Sequence, residues 1–343
     1  MIDYYHYSPN EVQNSLDGEP QLDQHPKHKR HRLLKWSLAL LLLLTLIAGA
    51  LIIGGYWYLQ NASLDNTDGR TNILVLGVDD AAGLSDSIMI ASIDKSNPTD
   101  PSVALLSVPR DLYVSVPGFH SAKINAAHSI GENNDYPGGG PALTAHTLEM
   151  HFDMPIHYFI SLDFEGFETI VDAVGGVEID VERAIDDPRY PDESGGYDPL
   201  HIPAGVQEMD GDLALRYARS RKSTNDFDRA YRQQQVALAV SDKLLNDPGF
   251  WRPRTIRGFM AVFRDNVKTD MSSMELLVLG NFSRTVELES TPQFVLDTTN
   301  LLMPVTNETG SALVPRSGDF GEIQLFVDQI FTQTDIDEFS RQF

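Results

Sequence analysis

The stretch WSLALLLLLTLIAGALIIGGYWYL, Trp36 to Leu59, carries no charged residue over about the length of helix that crosses the hydrocarbon core of a bilayer. It is therefore expected to form one transmembrane helix. Lys27, Lys29, Arg30, Arg32 and Lys35 precede it, which by the positive-inside rule places the N-terminus in the cytoplasm and everything after Leu59 outside the cell membrane. A cleaved signal peptide is the rival reading, but its apolar region would be shorter, and no convincing cleavage site is present. The expected organisation is a cytoplasmic tail over 1–35, the span over 36–59, a linker over 60–70 and one extracytoplasmic domain over 71–335.

The 343-residue chain has a formal net charge of -23, and the first sixty residues carry as many basic as acidic side chains, so the whole excess falls on the outer part. An acidic domain of this kind has no general affinity for nucleic acid or for anionic lipid headgroups. The absence of cysteine excludes disulfides, thiolate nucleophiles and cysteine-ligated zinc. His146 and His151 stand five positions apart, off one helical face, and give no metal-ligand pattern.

Runs rich in Val, Ile and Leu over 71–78, 87–94 and 102–108 read as strands, and the connections GVDDAAGLSD and DKSNPTDP are too short for helical crossovers. Neighbouring strands should then be antiparallel. In such a meander the end of the first strand, the start of the second and the end of the third share one sheet edge. That edge receives Asp79 with Asp80, Asp86, and Arg110 with Asp111. Two carboxylates there suit a hard divalent ion, and magnesium is expected, since it takes one or two carboxylates and leaves the rest of its shell to substrate phosphates. Further on, a helix over 140–152, a strand over 158–163, the helix FEGFETIVDAVGG, the strand VEIDVE and helices over 210–216 and 228–246 predict an α/β (α+β) domain with a mixed, largely antiparallel central sheet flanked by helices.

Against the acidic background, Arg216, Arg219, Arg221, Lys222, Arg229 and Arg232 crowd into one short stretch. Two readings follow from the residues alone. Either these cations pair with nearby aspartates on a solvated surface, or they hold an anionic ligand. Helical spacing puts Arg229, Arg232 and Gln233 on the stripe of Val236, Val240 and Leu244, which must face the core, so the arginines point inward or into a cleft near a helix N-terminus. Planar guanidinium forks suit phosphate oxygens, and several suit a pyrophosphate. That geometry favours the second reading.

The segments NILVLGVD, SDSIMIASID, LLSVPRDLYV, KINAAH, GGVEIDV, DGDLALRYARSR, DFDRAYRQQQ and LVPRSGD, in that order behind a single N-terminal anchor, resemble successive motifs of the LytR-CpsA-Psr family. The resemblance implies transfer of a glycopolymer from a polyprenyl-pyrophosphate carrier to a peptidoglycan hydroxyl, with release of polyprenyl phosphate. By the same resemblance Asp79 and Asp86 would hold Mg2+, and Arg110, Arg219, Arg221, Arg229 and Gln233 would contact the phosphates, with Arg232 beside them. Lys123 matches the KINAA motif and Asp226 the acidic residue of the DFxR motif, where it would cap a helix. Arg110, Asp86 and the candidate general base Asp111 would serve catalysis. The sequence departs from the pattern at the short loop after Asp79, which leaves Asp79 and Asp80 as alternatives, and at Asp228, where the motif has a small residue. A polyprenyl-pyrophosphate hydrolase and a non-catalytic lipid-phosphate-binding module are the alternative functions. The segment 250–343 is expected to complete the domain and is assigned no chemistry.

Overall fold

A computed structural model of the chain describes residues 64, 69–79, 81–96, 102–192, 196–220, 226–247, 249–283, 291–307, 310–333 and 335–342. They belong to the unit Ala62–Phe343. The expected span Trp36–Leu59 lies outside these residues. Among them no helix is long and apolar enough to cross a membrane.

The three apolar runs fold as the predicted meander, with β1 (Arg70–Asp79), β2 (Leu84–Asp94) and β3 (Ser102–Ser107) paired antiparallel. The register shifts between Gly77 and Val78: Gly77 lies opposite Ser87 and Val78 opposite Ser85, so Asp86 is an extra residue in a β-bulge. Bulges bend a strand and re-aim its side chains. The hairpin β4 (Tyr113–Ser115) and β5 (Ser121–Lys123) then leads to helices α1 (Asn125–Asn133) and α2 (Gly139–Phe152).

Strand β6 (Tyr158–Leu162) returns parallel to β1, and Asp163 caps α3 (Phe164–Ala173) by accepting from the Gly166 N–H at 2.6 Å. Two glycines with positive φ, Gly175 at 86° and Gly176 at 82°, end this helix as the sequence predicts. There follow β7 (Val177–Val181), β8 (Ile185–Asp187), β9 (Leu200–Ile202) and β10 (Gly205–Met209). Next come α4 (Gly211–Arg219) and α5 (Asp226–Asn246). A Cβ at Gly211 would lie 2.4 Å from the Glu168 carbonyl oxygen, so only glycine lets α4 start this close to α3.

The chain continues through α6 (Pro253–Asn266), β11 (Val267–Thr269), α7 (Ser273–Ser283) and β12 (Gln293–Val295). Last are β13 (Leu302–Asn307), β14 (Gly310–Pro315), α8 (Gly321–Asp328) and α9 (Ile336–Ser340). The central sheet has the order β11-β6-β1-β2-β3-β12, mixed as predicted. Its two faces differ. One carries Leu74, Leu76, Ile88, Ile90 and Leu106, all at most 3% exposed, packed against Leu143, Phe152 and Phe326. Burying side chains of this size stabilises by about 1.5–3 kcal/mol each, and this layer is the main core. The other face presents Val75, Met89 and Ile160 to a cavity roofed by α3 and α5. A second apolar cluster, including Ile179, Met209, Tyr217 and Val236, fixes α4 and α5 on β7 and β10.

Candidate functional site

Strand alternation brings Val75 and Gly77 to the cavity face of the sheet, whereas Asp79, beyond the register shift at the end of β1, is not among the residues lining that cavity. The bulge brings Asp86 to the same cavity. Its Oδ1 accepts from Arg110 Nη1 at 2.7 Å, which ties the turn after β3 to the start of β2. The topology thus joins Asp86 and Arg110 as the meander predicted. Asp79 Oδ1 accepts from the Ala81 N–H at 3.0 Å, and Asp80 lies outside the described residues.

Asp111 Oδ1 accepts from Lys123 Nζ at 2.7 Å, and its Oδ2 is 4.0 Å from Arg110 Nε. Lys123 therefore spends its charge on Asp111, and it lines none of the cavities at this site. Asp111 is held between two cations as a clamp beside Arg110.

Helix α5 presents one stripe to the cavity: Arg229, Gln233, Val236, Ala237 and Val240. Gln233 Oε1 accepts from Ser87 Oγ at 2.9 Å, and the Arg229 guanidinium reaches toward the Asp86 carbonyl. Arg232 does not share that stripe. It turns away from the cavity, donates from Nε to the Tyr217 carbonyl at 2.9 Å and from Nη2 to the Ser220 carbonyl, and so closes the C-terminal end of α4. The expectation that Arg232 stands with Arg229 toward substrate is corrected by this placement. The physical reason is that helical positions three apart diverge by about 60° around the axis, enough to send their side chains to different faces. Burial lowers the Arg232 pKa from its ordinary value, with Tyr217 and Asp228 acting against that shift. Burial also pushes the Tyr217 phenol up to about 12, against the pull of Arg232.

Arg219, at the end of α4, stacks its guanidinium over the Phe164 ring at 3.9 Å and lines the same cavity. Arg216 pairs instead with Asp198 at 2.7 Å and lies over the Tyr190 ring at 5.1 Å. Arg221 and the side chain of Asp226 lie outside the described residues. His128 donates from Nδ1 to the Gly83 carbonyl at 2.9 Å and is buried, a packing role.

The cavity measures about 650 Å³. Its polar lining includes Asp86, Ser87, Asp163, Asp187, Arg189, Arg219, Arg229 and Gln233, and its walls are apolar side chains such as Val75, Met89, Phe167, Val236 and Val240. A second, smaller cavity of about 230 Å³ lies next to it. Asp86, Ser87, Arg229 and Gln233 line both, while Arg110 and Asp111 line only the smaller one. The residues common to both thus sit where an apolar groove meets a smaller pocket that adds Arg110 and Asp111. Apolar side chains that line a groove instead of filling a core forgo some of the burial energy, which an apolar ligand restores.

Sequence reasoning did not find Ser87, Phe164 or Arg189, all of which line the larger cavity. Arg189, between Pro188 and Pro191 in an acidic run, offered a signal in the form of a cation on a stiff loop. Among the described residues no group of three carboxylate or histidine side chains gathers to hold a metal ion by itself. Two carboxylates at one sheet end fit magnesium only as a shared site, with substrate oxygens completing the shell.

Residues 58–308 match the LytR_cpsA_psr family. The chain is 36% identical over 214 residues to a polyisoprenyl-teichoic acid--peptidoglycan teichoic acid transferase TagU of Oceanobacillus iheyensis, covering 61% of this chain and 61% of that protein. It is 33% identical over 205 residues to TagV of Bacillus subtilis, across 57% of this chain but 49% of the relative. With TagU of Bacillus cereus the identity is 31% over 280 residues, 72% of this chain and 82% of the relative. The chain thus spans about three fifths and half of the lengths of the first two. Among solved structures, Bacillus subtilis TagV superposes with a TM-score of 0.61 at 24% identity, over 79% of this chain and 100% of that one. A structure described as TagT bound to LI-WTA gives 0.57 at 21% identity, over 79% and 95%. At these identities the superpositions establish a common fold.

Proposed function

The chain belongs to the LytR-CpsA-Psr family, and on that premise we propose that it is a phosphotransferase moving a glycopolymer from a polyprenyl-pyrophosphate carrier to a peptidoglycan hydroxyl. The names of the relatives support a cargo of the teichoic-acid type. The observation that carries the reading is the set of Asp86, Ser87, Arg229 and Gln233 shared by an apolar groove and a smaller pocket that holds Arg110 and Asp111. A lipid pyrophosphate has the matching layout: an apolar tail, a doubly charged centre and a polar polymer beyond it.

In this arrangement the prenyl tail lies along α5 toward Val240, and the pyrophosphate sits among Arg219, Arg229 and Arg110. The acceptor hydroxyl oxygen attacks the phosphorus that bears the polymer, a new P–O bond forms, and the hydroxyl proton passes to Asp111, the candidate base beside Arg110. The bond from that phosphorus to the bridging oxygen breaks, and polyprenyl phosphate leaves with the electron pair. Arginines preorganised at this point stabilise the charge that builds on the leaving group. Asp86 orients Arg110 through their 2.7 Å pair, and the clamp of Asp111 and Lys123 steadies it from behind. Asp79 and Asp86 would hold magnesium, which when bound neutralises phosphate oxygens. The domain would stand outside the cell membrane, anchored by Trp36–Leu59.

The test is product analysis with a labelled lipid-pyrophosphate glycopolymer, with and without peptidoglycan. Polymer joined to peptidoglycan through a phosphodiester supports the transferase. Polymer phosphate released equally in both reactions indicates a hydrolase, and no turnover indicates a binding module.

A further inference from the structure

Helix α6 runs counter to the charge of the chain. From Arg252 to Lys268 there are five basic residues and one acidic, Asp265, in a protein with 49 acidic residues against 26 basic ones. Arg252, Arg254, Arg257 and Arg264 are all exposed, and no residue of α6 is buried. Three cations elsewhere in the domain, Arg110, Lys123 and Arg216, each hold an aspartate at 2.7 Å. Among the described residues Arg252, Arg254 and Arg257 make no ion pair at all. Arg264 lies 3.5 Å from Asp265 with both side chains in solvent, and such a pair contributes little.

The apolar side of the helix is only half covered. Phe259 packs edge-on against Phe250 at 5.1 Å, while Met260 and Phe263 open onto a separate cavity of about 660 Å³. That cavity has Met260, Phe263 and Leu276 in its walls and Arg257, Arg264 and Lys268 among its lining, where Glu132 stands 3.8 Å from Lys268. With Lys268 facing Glu132, Arg257 and Arg264 leave a net positive charge around an apolar recess, which matches an amphiphile with a phosphate head. A soluble polyanion would satisfy the arginines and leave the apolar wall unused.

We infer that the exposed basic face of α6, with the cavity beside it, is a peripheral docking surface for the anionic headgroups of a lipid bilayer. The acidic remainder of the domain is repelled from such a surface, so the attraction is local and orients the domain. The inference stands on the charge and the cavity and does not depend on the transferase reading. Each arginine brought to an anionic membrane contributes roughly a five-fold gain in association, fading with salt over a Debye length.

The absence of native cysteine makes the test direct. A Cβ at Gly258, on the exposed face, meets nothing within 4 Å, so Gly258→Cys takes a nitroxide label without disturbing the helix. Glu178→Cys, exposed on β7, serves as the reference position. The full-length labelled chain is reconstituted in vesicles of phosphatidylcholine or of phosphatidylglycerol, and collision of each nitroxide with a water-soluble nickel chelate is measured on the vesicle-bound fraction. The expected result is protection at 258 in phosphatidylglycerol that is lost in phosphatidylcholine, in high salt and in the R252Q/R254Q/R257Q variant, with 178 open throughout. Equal accessibility at 258 and 178 in every lipid would overturn the inference. So would protection at 258 by polyphosphate in solution that matches protection by phosphatidylglycerol.

Discussion

Arg229 and Arg232 are three residues apart on α5, similarly buried at 8% and 6% exposed, yet the structure gives them different work. Arg232→Ala removes the donors to the carbonyls of Tyr217 and Ser220, two buried residues at the end of α4. An orphaned buried acceptor costs about 1–3 kcal/mol, so the pair predicts a loss of about 2–4 kcal/mol, the larger figure including lost packing on the Tyr217 ring. For a domain of this size that lowers Tm by roughly 5–15 °C. Arg229 lines the groove, where Arg229→Ala admits water in place of the side chain and costs roughly 1 kcal/mol or less. Its effect falls on turnover, about 10²–10³-fold, the scale of removing one preorganised donor from a developing charge. Thermal unfolding of both variants, with transfer measured well below either Tm, separates the two. If Arg232→Ala unfolds like the parent chain, or Arg229→Ala loses as much stability as Arg232→Ala, the division of roles on α5 is wrong.

Three further outcomes are expected. Ala237→Trp, which projects into the groove, should raise KM for a long-chain prenyl donor at least about ten-fold while changing KM for a short-chain analogue much less, measured with both donors in parallel. Tyr217 is raised from 10.0 to about 12 in the folded chain, so its contribution is fully present below pH 10 and is lost as pH rises toward 12; Tyr217→Phe should flatten the alkaline fall of stability in urea unfolding over that window. Chelation should abolish transfer and added magnesium restore it, whereas Asp86→Asn should stay impaired with excess magnesium, because it weakens both the shared metal site and the pair to Arg110.

The central sheet is legible in the sequence because strand pairing is a local matter here. Short links force an antiparallel meander, and the shared edge of Asp86 and Arg110 follows from topology without any knowledge of side-chain contacts. The end of α3 is legible from its glycines, since Gly175 with Gly176 stops it. The bulge at Asp86 is not, since one extra residue in a strand leaves no mark on apolar periodicity. The division between Arg229 and Arg232 escapes for a related reason. A stripe argument resolves a helix to about half its circumference, and two carbonyls at the end of α4 decide the rest. Phe164 and Arg189 belong to the groove through contacts across far-separated segments, which no single-segment pattern encodes. Helix α6 reads in sequence as structural completion because its apolar residues catch attention first, while its charge stands out only against the acidity of the whole domain.

The most direct measurement is a crystal structure of the protein with a polyprenyl pyrophosphate bound. The account predicts both phosphates among Arg110, Arg219 and Arg229 beside Asp86, with the prenyl chain following α5 past Val236 to Val240. Phosphates held elsewhere, or a prenyl chain lying outside the groove between α3 and α5, would contradict it.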